Sequence, residues 1–210
     1  MDDHTLEQTR LALHGIAELV LAGPQFDRSH DIRLRVTPGG FGTVTEPDLR
    51  VDGLELVTPG SRLPLAGTLT GLARAAGVEA RPLRDVYAGG PDFEPDAPLV
   101  VDAAAAEILL DAFATGDAAL RLFAPDAEAV LWPEHFDLGI TLDEVNYGVS
   151  PGDVHVLAPY AYVGPWTRRL GPFWNTDFGA TMPLTPAEDP GSVAAFFEEG
   201  ARRSVADPAK

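Results

Sequence analysis

The sequence predicts an α+β protein in which antiparallel β-meanders form a curved sheet or open barrel with helices packed on one side. Amphipathic helical patterns near both ends and in the middle alternate with two series of short segments separated by turn residues. The 210 residues are 45% hydrophobic and 22% charged, which is typical of an ordinary globular protein. We expect a single domain over residues 1–210. A subdomain boundary could fall at residues 79–98, which are rich in Pro, Gly and Asp and lack periodicity.

The first helix is predicted over residues 6–22. Thr5 can cap its start, and Gly23-Pro24 should end it because proline lacks the N–H that a helix needs. We expect His14, on the polar face of this helix, to be solvated. The apolar stripe comprises Leu13, Ile16, Ala17 and Val20, and the polar face comprises Glu7, Arg10, His14 and Glu18.

A first meander follows the helix. Alternating apolar and polar residues predict strands over residues 32–37, 41–45 and 49–57. The alternation changes phase at Asp52-Gly53, where we expect a bulge or a tight turn.

Four further helices are predicted. One runs over residues 69–76, and one runs over residues 102–115 and ends at Gly116. Asp117 can cap a short helix after it, and Asp189 opens an amphipathic helix near the C-terminus.

The second meander is the most informative stretch. Residues 135–142 alternate cleanly, Asp143-Glu144 is the predicted turn, and residues 145–150 form the returning strand. This register places Gly139 opposite Gly148. Facing glycines leave a hollow that can admit a ligand or an aromatic ring of the chain itself.

Polar and aromatic residues collect around this hollow. In the simplest register His155 lies beside Gly148, so that His135, Asp137 and His155 share the face of the hollow. Aromatic side chains with polar groups suit a small organic ligand, although they also serve cross-strand packing. The candidate ligand-binding residues are His135, Asp137, Asn146, Ser150, His155, Tyr160, Tyr162, Trp166 and Trp174.

Three interpretations of the polar face remain open. His135 and Asp137 have the H-x-D spacing of two metal ligands, and His155 could be the third, so a divalent metal is the cofactor to consider. A His–Asp pair with Glu134 nearby could instead perform acid–base chemistry. In the structural interpretation, His135 and Asp137 bond to each other or to the backbone.

Charge and composition limit the partners. The net charge is −17, and residues 85–167 contain fifteen Asp or Glu and one basic residue, Arg121, giving −14. Such a surface repels nucleic acid and anionic membranes, so we expect neither as a partner. The absence of Cys excludes disulfides and thiolate ligands. The N-terminus has no signal-peptide pattern and no apolar run is long enough to span a bilayer, so a cytoplasmic location is expected.

The main functional prediction is a soluble small-molecule-binding protein with its site on the meander of residues 129–180. The alternatives are a metal-dependent enzyme using His135, Asp137 and His155, and an acidic interaction protein. Neither the ligand nor the oligomeric state can be predicted from these patterns.

Four segments carry a resemblance to a known group. They are WPEHFDLGI (132–140), NYGVSPGD (146–153), PYAYVGPW (159–166) and GPFWNTDFGA (171–180). The chain resembles bacterial proteins, common in actinobacteria, that carry a WPEHFD segment and have no assigned function. The resemblance implies a cytoplasmic protein from such a source and the functional importance of this stretch, but it implies no catalytic role for any residue.

Overall fold

The computed structural model describes residues 2–88, 90–153, 156–186 and 188–210. The chain forms two compact units. Unit 1 comprises Met1–Asp111 and Leu131–Phe136, and unit 2 comprises Ala112–Val130 and Asp137–Lys210. Each unit combines helices with antiparallel strands, so the predicted α+β class with antiparallel meanders is confirmed. Residues 79–98 lie within unit 1.

The N-terminal helix of unit 1 continues past its predicted end. It consists of α1 (Asp3–Gly15), a π-helix (Ile16–Ala22) and α2 (Gly23–Ser29). The prediction that Gly23-Pro24 ends it is wrong.

The wider π-helical turn explains why the helix can pass through a proline. The Gly23 N–H donates to the Glu18 carbonyl, five residues earlier. Pro24 has no N–H to offer the next carbonyl, that of Leu19. That carbonyl instead accepts from the Arg81 N–H at 2.9 Å. A Cβ on Gly23 would overlap the Arg81 carbonyl oxygen, so Gly23-Pro24 forms the point where a loop docks on the helix.

Gln25 links this helix to the first meander. Its side chain is fully buried. Nε2 donates to the carbonyls of Asp31 and Arg33, both at 2.8 Å. Oε1 accepts from the N–H groups of Val44 at 2.7 Å and Thr45 at 3.0 Å. One amide therefore satisfies four backbone groups on both sides of the β1–β2 hairpin defined below.

The predicted first meander is present in unit 1. It consists of β1 (Leu34–Thr37), β2 (Gly40–Thr43), β3 (Arg50–Asp52), β4 (Glu55–Val57) and β5 (Arg62–Pro64). Neighbouring strands pair in that order, and β6 (Val130–Trp132) adds to β1 through Leu131 opposite Leu34. The phase change at Asp52-Gly53 is a tight turn, since Asp52 pairs with Glu55. Helix α3 (Leu69–Ala75) is capped by Thr68.

Helix α4 (Ala103–Phe123) passes through Gly116, where we predicted an end. A Cβ on Gly116 would lie 2.7 Å from Val149 Cγ2, so the glycine permits close helix–strand packing rather than a stop. The strands of unit 2 are β7 (Asp137–Leu142), β8 (Val145–Ser150), β9 (Tyr160–Pro165) and β10 (Ala180–Pro183), paired in that order.

One face of the unit 2 strands is covered by helices. The Tyr147 ring lies 4.7 Å from Phe123 of α4 and 6.1 Å from Phe197 of α5 (Pro190–Ala206), measured between centroids. Val163 of β9 contacts α5 at Gly200. The opposite face carries Asp137, Asn146, Ser150, Tyr160 and Tyr162 of the predicted site.

Replacing Gln25 tests how much its buried side-chain amide contributes to stability. Gln25→Ala should lower the free energy of unfolding by about 2–4 kcal/mol, because four partly buried backbone groups lose their partner and the buried side chain leaves a gap. Urea denaturation followed by circular dichroism measures this loss. The control is Gln8→Ala, which removes an exposed Gln from α1 and should change stability by less than about 0.5 kcal/mol. Equal effects of the two substitutions would contradict the assigned role.

Candidate functional site

The register of the β7–β8 hairpin is the predicted one. In the β8–β9 pair, Gly148 lies opposite Tyr162, where the simplest register places His155. The β7–β8 hairpin turns at Asp143-Glu144, where both residues have positive φ, 49° and 61°. Gly139 pairs with Gly148, which in turn pairs with Tyr162 of β9. Because side chains alternate along strands, one face holds the polar and glycine positions. Its described members are Asp137, Gly139, Thr141, Asn146, Gly148, Ser150, Tyr160, Tyr162 and Gly164.

The glycine hollow is occupied by an aromatic ring of the chain. A Cβ on Gly148 would lie 2.5 Å from the Tyr162 hydroxyl oxygen, and a Cβ on Gly139 would lie 2.8 Å from it. The Tyr162 hydroxyl donates a hydrogen bond to Asp137 Oδ2. Burial, with the neighbouring Asp137 charge, raises the pKa of Tyr162 well above its usual value. Tyr162 is therefore a neutral hydrogen-bond donor that holds Asp137.

A second Tyr–Asp pair lies at the end of the same face. The Tyr160 hydroxyl donates to Asp153 Oδ2 at 2.5 Å, and its ring centroid is 6.4 Å from that of Tyr162. Tyr160 is only 4% exposed, and its cross-strand partner Ser150 is buried. Burial and the bond to Asp153 raise the pKa of Tyr160. Two carboxylates and two phenols thus stand next to each other on one sheet face.

The outer end of this face exposes aromatic surface. Asn146 Oδ1 accepts from Thr141 Oγ1 at 2.8 Å and from Trp166 Nε1 at 3.3 Å. The Trp166 side chain is 66% exposed, and Phe178, whose ring centroid is 6.4 Å from that of Tyr160, is 41% exposed.

Trp174 does not join these residues in any described contact. Its Nε1 donates to Asp207 Oδ2 at 3.0 Å, and its ring packs edge-on against Phe173 at 4.9 Å. The neighbouring Leu170 N–H donates to the Pro208 carbonyl. Trp174 therefore helps to hold the C-terminal segment.

His135 lies before the strand that carries Asp137. Strand β7 begins at Asp137, and Phe136 has a φ of 53° and donates its N–H to the Trp132 carbonyl. The prediction that the strand starts at His135 is wrong, because a left-handed residue breaks the alternation that would make residues 135 and 137 share a face. The exposed His135 ring lies 3.8 Å from Glu134, beyond hydrogen-bond distance.

The proposed metal ligands are not assembled in the part of the chain that is described. Within those residues no group of three His, Cys, Asp or Glu side chains could hold a metal ion. His155 lies outside the described residues. The metal and acid–base interpretations of this face remain hypotheses.

Sequence reasoning missed a buried polar row on the N-terminal helix. Arg10, His14 and Glu18, four residues apart, are at most 7% exposed. Glu18 Oε1 accepts the Leu83 N–H at 3.1 Å. The helical pattern gives these residues a polar face, but it does not show that a loop covers that face.

His14 connects this row to the WPEHFD segment. Its Nε2 lies 2.7 Å from the Pro133 carbonyl, which can only accept, so Nε2 carries the proton. The ring stacks on Phe136 at 5.1 Å and meets the edge of Phe93 at the same distance. Burial lowers the pKa of His14 to about 4. Pro133 and Phe136 of the WPEHFD segment therefore help to pack the buried His14 ring.

Comparisons with protein-family models, curated proteins and solved structures found no match. The resemblance to the WPEHFD-containing group therefore remains a prediction. Within the described residues, none of the helices combines the length and apolarity needed to cross a bilayer.

The buried imidazole predicts a pH dependence of stability. The pKa of His14 is about 4 in the folded protein and about 6.5 in the unfolded chain. As the pH falls from 6.5 to 4, the unfolded chain therefore takes up a proton that the folded protein does not. His14 should cost up to about 3 kcal/mol of stability over this range.

Comparing histidine variants separates the contribution of His14 to the pH dependence from that of the titrating carboxylates. The free energy of unfolding of His14→Gln should fall less steeply between pH 6.5 and 4 than that of the wild type. His4→Gln, which replaces an exposed histidine, should retain the wild-type slope. Parallel curves for the wild type and His14→Gln would contradict a buried neutral His14.

Proposed function

We propose that the protein binds a small organic molecule on the polar face of β7, β8 and β9. The observation that carries this proposal is the gathering of Asp137, Asn146 and Tyr160 on one face while helices cover the other. In small-molecule sites, a few fixed polar groups typically orient a ligand against aromatic surface.

The burial pattern argues against a merely solvated face. Tyr160 and Ser150 are 4% and 6% exposed although both are polar, and their hydroxyl groups are held by fixed partners. The rings of Trp166, beside Asn146, and of Phe178, beside Tyr160, are open to solvent. Rings of this kind offer apolar contact area at low conformational cost, because aromatic side chains have few rotatable bonds.

The occupied glycine hollow determines where such a ligand would bind. The Tyr162 ring fills the space above Gly148, so a ligand would rest over Tyr162 and beside Trp166 instead of entering between the glycines. A Cβ added at Gly164 would have Phe178 O and Asn146 Cβ as its nearest neighbours, 3.7 and 3.9 Å away. A Cβ at this position would therefore make only ordinary van der Waals contacts.

A thermal-shift screen with a matched pair of variants tests the proposal. A library of small organic molecules should contain compounds that raise the melting temperature by about 5 °C at a concentration near 100 times Kd. Trp166→Ala should abolish that shift, measured against the melting temperature of the unliganded variant.

The control is Leu122→Ala. It removes a side chain of similar exposure, 62%, from helix α4, which packs on the opposite face. This variant should keep the full ligand-induced shift. An equal loss in both variants, or a library that never stabilises the wild type, would refute binding at this face.

A further inference from the structure

The exposed end of the polar face of unit 2 indicates the chemical class of the ligand. We infer that this end binds a carbohydrate, with one pyranose ring stacked on the Trp166 indole and its hydroxyl groups bonded to Asn146 and Thr141. This inference rests on the proposed function and specifies its ligand. Each step below concerns side chains of unit 2.

Trp166 provides an open aromatic surface whose position is fixed. Its side chain is 66% exposed. Its backbone N–H donates to the Glu144 carbonyl at 2.9 Å, and its Nε1 donates to Asn146 Oδ1 at 3.3 Å. Because the indole is held through both its backbone and its ring, it loses little conformational entropy when a ligand covers it. Trp166 therefore offers a large apolar contact area in an orientation that is set before binding.

The hydrogen bonds of Asn146 determine which of its atoms can meet a ligand. An indole N–H can only donate, so the Asn146 atom that faces Trp166 is the carbonyl oxygen. The same oxygen accepts from Thr141 Oγ1 at 2.8 Å. The side-chain nitrogen, Nδ2, has no hydrogen-bond partner among the described residues and is not one of their buried unpaired atoms, so it is open to solvent. It can donate two N–H groups to a ligand.

Thr141 supplies an acceptor next to this donor. The residue is exposed, and its hydroxyl gives its proton to Asn146, so the lone pairs of the hydroxyl oxygen remain available. An amide donor beside a hydroxyl acceptor matches two neighbouring hydroxyl groups of a pyranose, each of which can donate and accept. The C–H bonds on the face of the same pyranose are attracted by the negative π face of an aromatic ring.

Charge and exposure distinguish a carbohydrate from other ligand classes. Asn146, Thr141 and Trp166 are uncharged, so an organic cation would find no carboxylate among them. Residues 85–167 carry −14, which repels anions. A flat apolar ligand is favoured by a pocket that encloses most of its surface. The Trp166 ring is open instead, so one side of a ligand stays in water, where the hydroxyl groups of a sugar remain hydrated.

Cellohexaose, xylohexaose and maltohexaose are suitable probes, because each is a neutral chain of pyranose rings. The full chain has three Trp residues and should show three indole N–H signals in a proton–nitrogen NMR spectrum. Trp166→Phe identifies the signal of Trp166. At least one hexasaccharide should shift that signal to saturation and leave the signals of Trp132 and Trp174 in place. Caffeine, a neutral flat heterocycle, should produce no comparable shift.

Substitutions that preserve side-chain shape test the polar contacts. Asn146→Asp keeps the acceptor for Trp166 and Thr141 but removes both donors, so it should weaken hexasaccharide binding roughly three- to tenfold. Thr141→Val removes the hydroxyl and should weaken binding to a similar extent. Gln8→Glu makes the same change of charge at an exposed position of α1 and should leave the affinity unchanged.

The outcomes distinguish this inference from the proposed function. If caffeine or a screened compound binds at Trp166 and no hexasaccharide does, or if caffeine binds there as tightly as the best hexasaccharide, the carbohydrate inference is overturned and small-molecule binding stands. Hexasaccharide binding that neither Asn146→Asp nor Thr141→Val weakens, or that shifts only the signals of Trp132 or Trp174, also overturns it. If neither a hexasaccharide nor any screened compound binds, both proposals fail.

Discussion

The hydrogen bond from Tyr162 to Asp137 across the Gly139–Gly148 pair is the contact on which the candidate site depends. Any side chain at either glycine would collide with the Tyr162 hydroxyl, and at Gly148 also with the Leu138 carbonyl. The two glycines therefore allow Tyr162 to lie over the strands, and Tyr162 in turn orients Asp137. A shift of the β7–β8 register by one residue would move Asp137 to the face that the helices cover. The β7–β8 register, the position of the Tyr162 ring and the orientation of the Asp137 carboxylate therefore depend on one another.

In unit 1, polar groups of the N-terminal helix anchor segments that have no regular secondary structure. The π-helix and Pro24 free the Leu19 carbonyl to accept from Arg81, and Glu18 accepts the neighbouring Leu83 N–H. Gln25 satisfies four backbone groups around the first hairpin. Buried polar groups are expensive unless they are paired, so these side chains hold the loops by supplying the partners that the loop backbone needs.

The β7–β8 hairpin could be predicted in detail because alternation and turn chemistry agree, whereas the pairing of Gly148 with Tyr162 in β9 was not predicted. Residues 137–150 alternate between apolar and polar positions, and the hairpin turn falls where the pattern places it, which fixes the pairing of Gly139 with Gly148. The continuity of helix α4 through Gly116 was not predicted.

The failures share a physical cause, which is that tertiary contacts override local signals. Gly23 and Gly116 were interpreted as helix ends, but both are glycine because another part of the chain approaches too closely for a Cβ. The left-handed backbone of Phe136 moves His135 out of the strand, and no sequence pattern indicates a positive φ at a phenylalanine. The burial of His14 depends on Pro133, more than a hundred positions away along the chain.

The central claim is that the polar face of β7, β8 and β9 binds a small molecule. The most direct test is a crystal structure of the protein soaked with the compound that stabilises it most. The account predicts density for that compound in contact with Tyr162 and Trp166, with the Tyr162–Asp137 hydrogen bond retained. Density for the compound at any other surface, with this face bare, would contradict it.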